Sequence, residues 1–96
     1  MLTIEEIKDK AIPIAKKYGV KKLSLFGSYA RGEADEESDL DFFVIGGENF
    51  KLTKIFSLAE DLREIFNKKV DVFEINEINI ESNFYKKIIQ EEVFLA

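Results

Sequence analysis

The chain has 96 residues, 46% of them hydrophobic, with 14 basic against 19 acidic side chains and a formal net charge of −5. That length holds one domain, residues 1–96, with a modest core, and that charge excludes an electrostatic grip on a nucleic-acid backbone and with it templated polymerisation. The absence of Cys and His removes disulfides, thiol nucleophiles, imidazole bases and thiolate zinc sites, so any metal site must be built from oxygen ligands.

Taken in chain order, Thr3-Ile4-Glu5-Glu6 forms a capping box, and Ile4, Ile7, Ala11, Ile14 and Tyr18 recur at helical spacing up to Gly19. Pro13 lies inside this first helix and is expected to remove a hydrogen bond and kink it, unless packing tolerates the break. Residues 22–26 make a short apolar strand, and Gly27-Ser28 suits a sharp turn into a short helix over 28–32. A helix starting there aims unpaired backbone N–H groups at an anion. Glu33 to Glu37 is a solvated acidic loop. A second strand over 39–45 places Asp39 and Asp41 on one face, with Leu40 on the other. Two carboxylates so close repel unless a cation sits between them. The alternative is that the strand begins only at Phe42 and both acids sit in a wet turn.

Gly46-Gly47 closes that strand, and Ile55, Leu58, Ala59, Leu62, Ile65 and Phe66 mark an amphipathic helix from Lys54 to Asn67. Val70 to Ile75 is a third strand containing Asp71. From Asn76 onward, a helix carries Ile80, Phe84 and Ile88 on one stripe and Tyr85, Ile89 and Val93 on the next. One stripe packs on the sheet; the second is either core as well or an exposed contact surface for a partner or a second copy of the chain. Neither a charged-then-apolar leader nor a long apolar run is present, so the expected setting is soluble and cytoplasmic, without membrane contact.

The run Gly27-Ser28-Tyr29-Ala30-Arg31-Gly32, followed by Ser38-Asp39-Leu40-Asp41-Phe42-Phe43-Val44, resembles the signature of the DNA polymerase β-like nucleotidyltransferases. In particular it is similar to the minimal nucleotidyltransferases (MNT) of HEPN/MNT toxin–antitoxin pairs. The resemblance covers almost the whole chain and implies an α/β fold, with a mixed three-stranded sheet and helices packed mainly on one face. It also implies a third acid on a later strand, a place that Asp71 fits. On this resemblance Asp39, Asp41 and Asp71 are the catalytic acids and the ligands of Mg²⁺ or Mn²⁺, while Gly27 and Ser28 cradle the triphosphate of ATP. Arg31 either contacts that triphosphate or pairs with the acidic loop after it.

The implied reaction is transfer of AMP to a tyrosine of a cognate HEPN toxin, with release of pyrophosphate. Two other classes compete with it. A small-molecule nucleotidyltransferase usually carries a further acceptor domain, for which 96 residues leave no room. A non-catalytic module that silences a partner by covering it would have no need of the three acids.

Overall fold

Strand alternation sorts the side chains onto two faces, and each face is covered by different helices. A computed structural model describes residues 1–96. Its elements are α1 (Ile4–Tyr18), β1 (Lys22–Phe26), α2 (Ser28–Arg31), β2 (Leu40–Ile45), α3 (Lys54–Phe66), β3 (Val70–Glu74), a 3₁₀ turn (Ile75–Glu77), α4 (Asn83–Glu91) and β4 (Val93–Phe94). The strand order is β3-β2-β1-β4. β1 is antiparallel to both β2 and β4, and β2 is parallel to β3. The sheet is therefore mixed, as expected.

It has four strands rather than three. Val93 and Phe94 pair with Leu25 and Ser24, and Leu23 exchanges further backbone hydrogen bonds with Leu95 and Ala96. A two-residue strand carries no alternation to read; what recruits it is the open edge of β1, whose backbone groups need partners.

On one face Leu23, Leu25, Leu40, Phe42, Val44 and Val70 meet Ile7 and Ala11 of α1 and Leu58 and Leu62 of α3 in the main core. Both helices start or stop on local signals. The Thr3 hydroxyl accepts from the Glu6 N–H while the Glu6 carboxylate accepts from the Thr3 N–H, each at 3.1 Å, and Gly19 ends α1 at φ 67°. The helix runs unbroken through Pro13. Pro13 and Asp9, whose carbonyl loses its helical donor, both lie exposed, where that carbonyl can turn to solvent.

On the opposite face a smaller cluster of Phe26, Phe43, Ile75 and Ile88 anchors α4. The expected single C-terminal helix is divided. α4 begins only at Asn83, where the Ser82 hydroxyl accepts from the Tyr85 N–H at 3.0 Å. Ile80 therefore precedes the helix and is 67% exposed, Val93 belongs to β4, and Ile88 is fully buried. Tyr85 packs against the smaller cluster while Phe84 and Ile89 stay exposed. The two stripes are thus neither wholly core nor wholly free. No helix is long and apolar enough to cross a membrane.

Candidate active site

The face under α4 also carries the acids. Strand register places Asp41 of β2 directly opposite Asp71 of β3 on one side and Phe26 of β1 on the other. Strands in a sheet lie about 4.8 Å apart, so two carboxylates rise side by side. Asp39 lies one residue before β2 rather than within it. Asp41 is in the strand and Asp39 in the loop leading to it, an arrangement between the two expected from the sequence.

The turn after β1 closes over Asp41. Gly27 adopts φ 80° and ψ −158°, a backbone conformation essentially restricted to glycine. A Cβ built there would lie 2.3 Å from Asp41 Oδ2 and 3.2 Å from its Cγ. The missing side chain is what lets the turn approach the carboxylate. α2 follows and stops at Gly32, φ 74°, whose N–H turns back to the Ser28 and Tyr29 carbonyls.

These residues line one cleft of about 440 Å³ that contains Gly27, Ser28, Arg31, Asp39, Asp41 and Asp71 together. All six positions singled out in the sequence therefore meet in one place. The same cleft is lined by Phe26, Phe73 and Glu91, which were not singled out there, and by Phe84 and Ile88, which were placed on an apolar stripe but not in a site. Lys87 lines it too, with no carboxylate within salt-bridge distance.

Charge is unevenly balanced in this space. Burial first, then the neighbouring Asp71 and Asp39, push the Asp41 carboxyl up from 3.8 to about 6, and Arg31 only partly offsets this. Arg31 is engaged on two sides, by Glu33 of the acidic loop at 3.1 Å and by Glu91 of α4 at 2.9 Å. Glu91 also accepts from the Gly27 N–H at 3.2 Å. A carboxylate of the protein thus rests on a donor of the turn, and a phosphate oxygen seeking that N–H has to displace it.

The chain holds no ready-made group of three acidic side chains that could by itself hold a metal ion. What it offers is a register-paired Asp41 and Asp71, with Asp39 beside them, all oxygen donors and with excess negative charge. That donor set fits Mg²⁺ or Mn²⁺, which are commonly held by one or two carboxylates and completed by substrate phosphates.

The family described as Polymerase beta, Nucleotidyltransferase matches residues 9–96. The chain is 47% identical over 78 residues to MJ0435 of Methanocaldococcus jannaschii, spanning 81% of this chain and 84% of that protein. It is 33% identical over 99 residues to the protein adenylyltransferase MntA of Thermococcus cleftensis, spanning 99% and 98%. Among solved structures, a toxin–antitoxin complex with AMP-PNP superposes with a TM-score of 0.80 at 20% identity, covering 93% of this chain and 72% of that one. The MNT antitoxin bound to a tri-AMPylated HEPN toxin from Shewanella oneidensis gives 0.74 at 17% identity, covering 96% and 71%. At such identities the structural likeness speaks for the fold alone, whereas the sequence matches carry the family. With the glycine turn, the paired acids and the mixed sheet in place, the chain belongs to the polymerase beta nucleotidyltransferase family and has the fold of its minimal members.

Proposed function

We propose that the chain is a metal-dependent protein adenylyltransferase that acts as an antitoxin in the cytoplasm, transferring AMP from ATP to a tyrosine hydroxyl of a cognate HEPN toxin. The observation that carries this is the register pairing of Asp41 with Asp71 beneath the Gly27 turn, in one cleft with Ser28 and Asp39. The MntA name of the Thermococcus cleftensis relative and the AMPylated toxin in the Shewanella oneidensis complex support the choice of AMP as the group moved and of a HEPN toxin as its acceptor.

In this reading the Gly27-Ser28 turn receives the triphosphate. The Ser28 hydroxyl and the backbone N–H groups of the turn donate to phosphate oxygens, and Glu91 gives up the Gly27 N–H as they do so. Asp39, Asp41 and Asp71 would hold Mg²⁺, with Mn²⁺ able to replace it. When bound, the metal supplies the positive charge that offsets the phosphates and lowers the pKa of the attacking hydroxyl. Asp71, exposed at the edge of the cleft, faces the acceptor and orients its hydroxyl in line with the α-phosphorus. Arg31 and Lys87 are the cations of the cleft, and Lys87 is the one without a carboxylate partner.

Calorimetry tests the metal requirement. ATP should bind at least about tenfold more tightly with Mg²⁺ than with a chelator, since the carboxylates repel the phosphates when no cation intervenes. Zn²⁺ should not substitute. Equal affinity with and without Mg²⁺ would assign the acids another purpose.

A further inference from the structure

The cleft has an aromatic wall that the handling of phosphate and metal does not use. Phe84 of α4 stands edge-on to Phe73 at 5.3 Å and to Phe26 at 6.1 Å between ring centroids, and Phe26 and Phe73 are 5.9 Å apart. Rings placed like this normally disappear into a core. Phe84 instead remains 42% exposed while lining the cleft.

Asp71 and Phe73 are alternate residues of β3, so the acid and the ring rise from the same face about 6.6 Å apart along the strand. A phenol ring centred beside Phe73 reaches about 5.5 Å, out through its hydroxyl and one hydrogen bond of about 2.7 Å, toward a carboxylate oxygen, which is within that spacing. The wall around Phe84 is made of the apolar side chains of Phe26, Phe73 and Ile88. It suits a ring whose single polar group points toward the acids.

We propose that Phe84, together with Phe73, is the acceptor subsite, holding the aromatic ring of a protein tyrosine so that its hydroxyl lies at Asp71. This rests on the proposed adenylyl transfer and names where the acceptor binds. In the step itself the phenolic oxygen bonds to the α-phosphorus, the bond from that phosphorus to the bridging oxygen breaks, pyrophosphate leaves with the electron pair, and the phenolic proton passes to Asp71.

Phe84→Leu keeps the apolar bulk at an exposed position and removes the ring. Transfer of label from α-labelled ATP to a tyrosine-bearing HEPN partner should fall at least tenfold. The affinity for ATP with Mg²⁺ should stay within about twofold, and Phe84→Tyr should restore transfer. Unchanged transfer overturns the proposal. So does a tenfold loss of ATP affinity matching the loss of transfer, which would make Phe84 a nucleobase platform. A wild-type protein that binds ATP but labels no partner would instead overturn the proposed function, and the subsite with it.

The wild-type protein gives a second measurement that depends on no variant. With ATP and Mg²⁺ present, N-acetyltyrosinamide should show nuclear Overhauser contacts from its ring protons to those of Phe84 and Phe73, and N-acetylserinamide should show none. Absence of contacts from the tyrosine probe overturns the subsite.

Discussion

Asp41→Asn should yield a protein that folds, gains stability at neutral pH in the absence of metal, and loses at least about a hundredfold of its label transfer, because charge at a metal-assisted phosphoryl centre is worth several kcal/mol. The two effects have one origin. Asp41 is held half-buried opposite Asp71, and its carboxyl is pushed up from 3.8 to about 6. The fold therefore favours the protonated form. Its full stability is available below the unfolded value of 3.8 and is progressively lost as pH rises to about 6, above which the ionised group costs the fold its whole repulsion. Unscreened, a shift of this size would be worth about 3 kcal/mol; with water reaching the cleft, about 1 kcal/mol is the expected gain for the neutral amide. Urea melts at pH 7 without divalent metal measure the gain, and transfer from α-labelled ATP measures the loss. An Asp41→Asn protein that is more stable yet fully active would remove this acid from the chemistry.

Gly27→Ala should damage the site more than the fold. A non-glycine residue at φ 80° and ψ −158° costs of order 1–3 kcal/mol in backbone strain. In addition, the new methyl group meets Asp41 Oδ2 at 2.3 Å, so the carboxylate must rotate away from the position in which it faces Asp71. Gly32→Ala provides the comparison. Gly32 also has positive φ, 74°, but a Cβ there meets nothing within 4 Å. Both variants should melt earlier than the parent, Gly32→Ala by a few degrees for about 1 kcal/mol of left-handed strain, and Gly27→Ala by at least as much, because its ψ of −158° lies outside the left-handed helical region. Only Gly27→Ala should also lose metal-dependent ATP binding, by tenfold or more in calorimetry. Equal loss in both variants would mean that backbone strain, rather than displacement of Asp41, governs the site.

Much of this architecture is legible because its signals are local. The Thr3–Glu6 capping box, the glycine stop at Gly19 and the apolar spacing of α3 act within a few residues of themselves, and each element lies where the spacing places it. The acids are legible for a similar reason. Asp39 and Asp41 sit two apart before an apolar strand, and Asp71 sits inside another such strand. That Asp41 faces Asp71 is a different matter, since it depends on the parallel register of β2 and β3, which no short pattern encodes.

What escaped the sequence reading belongs to tertiary docking. β4 is two residues long and exists because β1 needs a second partner. Phe84, Lys87 and Glu91 reach the cleft because Ile88 anchors α4 on the face that carries the acids. Their spacing within one helix announces a shared face but not what that face meets. The Ser82 cap was readable, yet the apolar residues flanking it, Ile80 and Phe84, imitate a continuous helix.

Which phosphorus of ATP reaches the acceptor distinguishes nucleotidyl transfer from every other use of the cleft. The purified chain, its HEPN partner and Mg²⁺ are incubated in parallel with α-labelled and γ-labelled ATP. Nucleotidyl transfer through Asp39, Asp41 and Asp71 predicts label on the partner from the α position only, with pyrophosphate released in equal amount and both signals lost in Asp41→Asn. Label arriving from the γ position, or none from either while ATP binds normally, would contradict it.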